Sequence, residues 1–348
     1  MSREGDNPWL SIHMASVSSH SQLTPLPQYA GLVSIAEFNL IDRIRTRVRD
    51  RDDVVLGIGD DAALLQVPLG MQLVVTADTL NTGVHFPEAT APADIGWKSL
   101  AVNLSDLAAM GATPAWCTLS LSLPEADESW VDAFLDGFLE LADQHALALV
   151  GGDTTRGPLS ISVTAMGLLE TGSALRRDGA RVGDDVWVTG ALGDAAAALD
   201  ALLSGRQPSA LLRKRLDRPV PRIAAGRRLS GLANSCIDLS DGLLADLAHV
   251  CERSGVGAEM ELAKLPVSDA LAALDPAQRW HWQASGGDDY ELCFSASPRN
   301  RESIVQALDF ADVAATRIGR IVAGQGVKAL DAEGGEWRPI RSGYQHFL

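Results

Sequence analysis

The sequence predicts a mixed α/β (α+β) protein of two domains, and three observations carry that expectation. At 348 residues the chain exceeds the size at which one hydrophobic core usually stops growing. Its short apolar runs alternate with stretches of helical spacing, the pattern of strands and helices that share a core. Its 46% apolar and 21% charged content are those of an ordinary globular protein. The expected organisation is a disordered extension over 1–30, an N-terminal domain over 31–169 with a mixed sheet and helices, and a C-terminal α/β domain over 170–348. The boundary falls near residues 169–180.

Residues 1–30 are rich in Ser, Pro, Gln and His, and no basic stretch precedes an apolar core, so a signal peptide is not expected. Met14 is an alternative start. Structure begins near Val33, and residues 37–49 carry helical spacing through Phe38, Ile41, Ile44 and Val48. Residues 54–56 read as a strand, 62–67 as extended chain into Pro68-Leu69-Gly70, and 73–75 as another strand. Residues 94–110 predict a helix, with Trp97, Leu100, Ala101, Leu104, Leu107 and Ala108 on one face and Gly111 as its stop. A strand over 116–123 follows, then a second amphipathic helix through Trp130, Phe134, Phe138 and Leu141, then strands over 146–150 and 159–168.

In the second half a strand over 186–188 leads through the turn 190–193 into a helix over 194–203. Asp217-Arg218-Pro219 breaks the chain before a helix over 222–232. A strand at Cys236-Ile237 runs into Asp238, a helix follows over about 241–252, and two later strands flank Gly286-Gly287 and Ile321-Val322.

The net charge of −16 argues against nucleic-acid wrapping and against anionic membrane surfaces. No apolar stretch is long enough to cross a bilayer. The cysteines Cys117, Cys236, Cys251 and Cys293 form no C-x-x-C pair, so neither zinc nor a disulfide framework is expected. Buried thiols in a reducing cytosol are the plainer reading.

Gly- and Asp-rich blocks recur where apolar runs meet turns: Gly57-Ile58-Gly59-Asp60-Asp61, Thr76-Ala77-Asp78, Asn103-Leu104-Ser105-Asp106, Gly151-Gly152-Asp153, Asp238-Leu239-Ser240-Asp241 and Gly286-Gly287-Asp288-Asp289. Two carboxylates about 4 Å apart repel by roughly 4 kcal/mol at an effective dielectric near 20. A fold that gathers several needs a counter-charge, and magnesium bridging carboxylates to phosphates supplies one. Jointly, the blocks point to a magnesium–nucleotide site.

Each block alone has a structural reading. Asn103 and Asp106 would share a solvated flank of the 94–110 helix. Ser240 could cap the following helix, with Asp241 favoured by its dipole. Gly151-Gly152 could be a tight turn. Gly57-x-Gly59-x-x-Ala62 matches a dinucleotide fingerprint, but Pro68 and Gly70 leave no room for the helix that fingerprint requires. No P-loop and no Ser–His–Asp arrangement occur, and the cations nearest the blocks are Arg156, Arg176 and Arg177. A nucleophile that is already a phosphate oxygen needs positioning and charge neutralisation rather than a general base.

Taken together the blocks resemble the thiamine-monophosphate kinase family, part of the superfamily of aminoimidazole ribonucleotide synthetase and selenophosphate synthetase. The resemblance runs from about Glu37 to Phe347. It is most specific at residues 57–65 (GIGDDAALL), 103–114 (NLSDLAAMGATP), 151–157 (GGDTTRG), 237–243 (IDLSDGL) and 285–294 (SGGDDYELCF). It implies a cytoplasmic enzyme that transfers the γ-phosphoryl group of ATP to thiamine monophosphate, giving thiamine diphosphate. It also implies a homodimer whose N-terminal domains pair their sheets, with nucleotide near the interface and no nucleic-acid or membrane partner.

By position, the resemblance implies that Asp61, Thr76, Ala77, Asp78, Asp106, Asp153, Asp238 and Asp241 hold several magnesium ions. Gly152, Arg177 and Ser240 would contact nucleotide, and His85, Asp288 and Tyr344 the thiamine phosphate. Ala77 stands where the family commonly has Thr or Ser, so only its carbonyl could serve a metal. Asp288 stands where Glu is usual, one methylene shorter. Competing readings are another ATP-using member of the superfamily, a divalent-metal store, and a nicotinamide-dependent oxidoreductase.

Overall fold

The computed structural model describes residues 32–339 and 343–344. The expected extension over 1–30, and Met14 within it, lie outside the described residues. Helix α1 (Leu32–Arg45) leads to a small antiparallel pair, β1 (Val54–Leu56) and β2 (Leu64–Leu65). The Gly57–Asp61 loop joins this pair, so no helix opens at Gly59. There follow β3 (Met71–Asn81), α2 (Pro92–Ala109), β4 (Thr113–Leu123), α3 (Glu128–Gln144), β5 (Ala148–Arg156) and β6 (Ser160–Glu170). Four strands make one mixed sheet in the order β3-β6-β4-β5, with only β4 and β5 parallel. That parallel pair needs a crossover, and α3 supplies it.

Helix α3 begins at Asp127, whose carboxylate accepts from the amides of Ser129 and Trp130. It buries Val131, Phe134, Leu135, Phe138 and Leu141. It lies backbone to backbone on α2, because Gly96 and Gly137 sit at the crossing. A Cβ at Gly96 would stand 2.0 Å from the Phe134 carbonyl oxygen, and one at Gly137 only 1.7 Å from that of Ala93. Helix α2 departs from the one-faced helix expected over 94–110. It is buried on nearly every side, Lys98, Ser99, Asn103 and Ser105 included. The reason is tertiary: the sheet and α3 cover part of it and the C-terminal half covers the rest.

The C-terminal half begins with β7 (Asp185–Thr189), α4 (Asp194–Leu203), α5 (Ala210–Asp217), α6 (Ile223–Leu229), β8 (Ser235–Asp238), α7 (Leu243–Ser254) and β9 (Gly257–Glu261). It continues through α8 (Asp269–Ala272), α9 (Pro276–Ser285), β10 (Leu292–Ala296), α10 (Arg301–Asp309), β11 (Ala315–Val322), β12 (Gly326–Leu330) and β13 (Glu336–Trp337). Its seven-stranded sheet runs β13-β12-β9-β11-β7-β10-β8, with β12 and β9 its parallel pair. One core lies wholly in this half, around Val186, Val188, Met260 and Ile318. A second runs through both halves, from Leu100, Leu104 and Phe134 to Ile223, Leu229 and Phe294. All four cysteines are buried and unpaired.

Three local expectations are corrected. Gly151-Gly152-Asp153 is strand, not turn: it lies inside β5, where a register irregularity opposite Cys117–Thr118 accommodates the glycines. Gly286-Gly287 follows helix α9 rather than a strand. The helix after Asp238 starts at Leu243, and its cap is Gly242 with no side-chain hydrogen bond, so Ser240 caps nothing.

Candidate active site

The two halves meet along α2, and the expected functional residues gather there. In β3, alternation turns Thr76, Asp78 and Leu80 toward α2, while Leu73, Val75 and Ala77 stand exposed on the other face. Thr76 Oγ1 donates to Asp106 Oδ2 at 2.5 Å. Asn103 Oδ1 accepts the Asp78 amide at 3.1 Å, and its Nδ2 donates to the Ser99 carbonyl. From the other half, Asp238 ends β8, almost fully buried, and accepts from Ser105 Oγ at 2.8 Å. Asn103 and Asp106 are therefore engaged within the site, not solvated on a helix flank, and Ser105 is buried beside them.

Burial raises the pKa of Asp78 to about 6, with repulsion from Asp106 adding to the shift. Asp106 is raised by burial, against the opposing Thr76 hydrogen bond and Arg177 charge. Asp238 is raised by burial and by Asp106. The side chain of Arg177 is exposed, yet its charge reaches Asp106, Asp238 and Asp246 and opposes the rise in the pKa of each. Arg176, by contrast, is engaged with Asp178 at 2.6 and 2.8 Å.

Above Asp238 the chain turns sharply. One carboxylate oxygen of Asp246 accepts the amides of Ser240, Asp241 and Gly242 at 3.1, 3.2 and 3.0 Å. The segment 286–291 lies over this turn, with the Asp288 amide donating to the Ser240 carbonyl and the Tyr290 amide to that of Leu239. Asp288 and Tyr290 both have positive φ, 68° and 50°. Tyr344 reaches the same turn, its amide donating to the Asp241 carbonyl. On the other side, Asn81 donates its amide to His85 Nδ1 at 3.0 Å. Lys98 Nζ then donates to both the His85 carbonyl, at 3.1 Å, and Asp288 Oδ2, at 3.0 Å.

The structure thus unites Thr76, Asp78, Asp106 and Asp238 in one cluster, and joins Asp241, Ser240, Tyr344, Asp288 and His85 to its rim. It does not bring Asp61 or Asp153 into that cluster. Asp61 is exposed in the β1–β2 loop, its amide held by Asp60 Oδ1. Asp153 is exposed on β5, in register with Ser120, Ser162 and Thr79, so three strand spacings, roughly 14 Å, separate it from β3. Gly152 sits in the Asp78 row, its φ of +150° letting the Leu119 backbone approach closely. Among the described residues no three His, Cys, Asp or Glu side chains form a metal cage.

Sequence reasoning missed Lys98, Ser105, Tyr290 and Asp246. A signal existed for the first two. Lys98 and Ser105 lie seven residues apart in a helix of core character, which puts both on one face.

The chain is similar to known proteins along most of its length. Residues 59–169 match the N-terminal domain, and residues 181–331 the C-terminal domain, of AIR synthase related proteins. The thiamine-monophosphate kinase of Escherichia coli (strain K12) is 47% identical over 330 residues, covering 90% of this chain and 99% of that protein. The chain belongs to the thiamine-monophosphate kinase family. A crystal structure of the family's member from Stenotrophomonas maltophilia K279a superposes with a TM-score of 0.79 at 58% identity, over 84% of this chain and 96% of that one. AaThiL, complexed with AMPPCP and TMP, superposes with a TM-score of 0.70 at 35% identity, over 90% of this chain and 98% of that one. The two-domain α/β architecture of thiamine-monophosphate kinases is therefore that of this chain. No helix among the described residues is long and apolar enough to cross a membrane.

Proposed function

We propose that this chain phosphorylates thiamine monophosphate to thiamine diphosphate with ATP as donor, as a cytoplasmic homodimer with domains over 31–169 and 170–348. The observation that carries the reading is the convergence of Thr76, Asp78, Asp106 and Asp238 at the seam between the halves, in a chain of this family.

The donor set fits magnesium. It offers oxygen ligands only, and its buried carboxylates repel one another, so a divalent cation would relieve a charge the protein leaves unbalanced. Several magnesium ions are proposed: Thr76, Asp78, Asp106 and Asp238, with Asp241 at the rim, are the proposed ligands at the cluster, and Asp61, Asp153 and the Ala77 carbonyl, which lie outside it, are proposed for further ions, with phosphate and water completing the shells. Bound magnesium would supply charge neutralisation on the phosphates.

The chain's own residues align the reactants. Gly152, Arg177 and Ser240 are the proposed nucleotide contacts, Arg177 offering a planar fork for phosphate oxygens. His85, Asp288 and Tyr344 are the proposed contacts for thiamine monophosphate. Its phosphate oxygen is already an anionic nucleophile, so the site needs alignment and a suitable field rather than a general base. The exposed Leu73 and Val75, 44% and 56% accessible on the outer face of β3, support a second copy covering that sheet, with nucleotide near the interface.

The test is thiamine diphosphate formation from ATP and thiamine monophosphate, with magnesium and then with excess EDTA. Magnesium-dependent product is expected. ATP binding without product would move the acceptor to that of another member of the superfamily.

A further inference from the structure

Lys98 is 2% exposed, and its ammonium joins two segments that come from opposite halves of the chain. Nζ lies 3.1 Å from the His85 carbonyl oxygen and 3.0 Å from Asp288 Oδ2. The other oxygen of Asp288 accepts from Tyr290 Oη at 2.9 Å. The segment that presents Asp288 is held against its own preference: Asp288 and Tyr290 sit at φ 68° and 50°, conformations that persist only where surrounding contacts over-determine them. Contacts that hold it include Lys98, Tyr290 Oη and the Ser240 carbonyl on Asp288, the Leu239 carbonyl on the Tyr290 amide, and the Gly193 amide on Asp289.

A buried lysine is a costly way to join two halves, since desolvating its charge is repaid only by close partners. This seam does not need it for cohesion. Leu100, Leu104 and Leu107 are fully buried there, Trp97 Nε1 donates to the Pro219 carbonyl at 2.7 Å, Arg218 engages Asp94, and Ser105 holds Asp238. Lys98 bonds both the loop that carries His85 and the loop that carries Asp288, and so fixes the distance between them. Its charge also reaches Asp217, at the end of α5.

We propose that Lys98 is the positioning residue of the acceptor side: its ammonium sets the spacing of the His85 and Asp288 loops, and so the fit of thiamine monophosphate but not of ATP. This rests on the assignment of His85 and Asp288 to the acceptor. A merely structural strut would weaken both substrates or neither.

The test uses the full chain with Lys98→Met and Lys98→Arg. Wild-type turnover of thiamine monophosphate is measured first, so that its absence would count against the proposed reaction rather than against Lys98. Lys98→Met is expected to raise KM for thiamine monophosphate tenfold or more, with KM for ATP within twofold of wild type. Lys98→Arg should recover part of the loss. Hydrogen exchange, read without substrates, should quicken together in peptides covering 82–86 and 286–291. Should Lys98→Met not fold, Lys98→Gln and Lys98→Arg carry the same KM comparison. Parallel rises in both KM values, or unchanged exchange in either loop, would overturn the proposal.

Discussion

Ser105 Oγ donates a 2.8 Å hydrogen bond to Asp238 Oδ2, tying α2 of the first half to the end of β8 in the second at a point closed to water. Both groups are buried, so the bond has no water to replace it. Ser105→Ala should cost about 1–3 kcal/mol, the penalty for a buried polar group left unpaired. Urea unfolding would read it as a lower midpoint with an unchanged slope. An unaltered midpoint would mean that Asp238 is stabilised without Ser105.

Asp78 carries a charge its surroundings disfavour, through burial and then through Asp106. Asp78→Asn keeps the shape and removes the repulsion. Without magnesium its melting temperature should therefore equal or exceed that of wild type. Turnover should fall roughly a hundredfold or more, the scale for losing one preorganised electrostatic partner. The stabilisation by magnesium plus an ATP analogue, about 2.7 kcal/mol at one hundred times the dissociation constant, should shrink with it. Normal turnover would remove Asp78 from the metal-binding set.

At Gly152 a Cβ would stand 1.8 Å from the Leu119 carbonyl oxygen, on a backbone at φ +150°. Gly152→Ala should cost roughly 2–3 kcal/mol, from overpacking and backbone strain together. Its neighbour is the control. A Cβ at Gly151 would meet only Thr118 Cγ2, at 4.0 Å, so Gly151→Ala should stay within about 0.5 kcal/mol of wild type. Equal losses at both positions would refute the close-approach account.

Glu291 is fully buried between Arg222, at 2.5 and 2.6 Å, and Arg215, at 2.8 Å, with Thr189 Oγ1 donating at 2.7 Å. Burial opposes its charge, but the two guanidinium groups prevail and hold its pKa below the usual value. A depressed folded pKa means stability that is fully present above the unfolded value, near 4.5, and lost as pH falls through the folded one. Glu291→Gln leaves the partly buried Arg215 and Arg222 without their shared carboxylate and should cost about 3–5 kcal/mol at pH 7, the scale for breaking a buried pair. The gap to wild type should be undiminished at pH 5.5 and narrow below pH 4.5. A gap that widened as pH fell would contradict the assignment.

Much of the fold was legible because local patterns survive into the tertiary structure. Phe134, Phe138 and Leu141 recur at helical spacing, and they are the buried face of α3. Asp194 to Leu203 opened after a glycine turn, as α4 does. The misses share a cause. Helix α5 has a short, strongly basic sequence with little apolar patterning, and it is helical because α4 and the Glu291 cluster hold it. Ser240 read as a cap because capping chemistry is local, whereas the turn it occupies is set by Asp246, six residues on. Lys98 went unread because its partners lie 13 and 190 residues away.

The sequence by itself determined which residues carry chemistry: the Asp-rich blocks, their order, and the family they mark. It could do so because residue type and short spacing are written in the chain. Only the tertiary structure decided which of those residues meet. The strand register turns Asp78 inward and leaves Asp153 three strands away, and the docking of α2 between two sheets buries Lys98, Asn103 and Ser105 beside the acids. Those outcomes depend on long-range packing, in which segments more than a hundred residues apart exclude water from one another, and no local pattern records that.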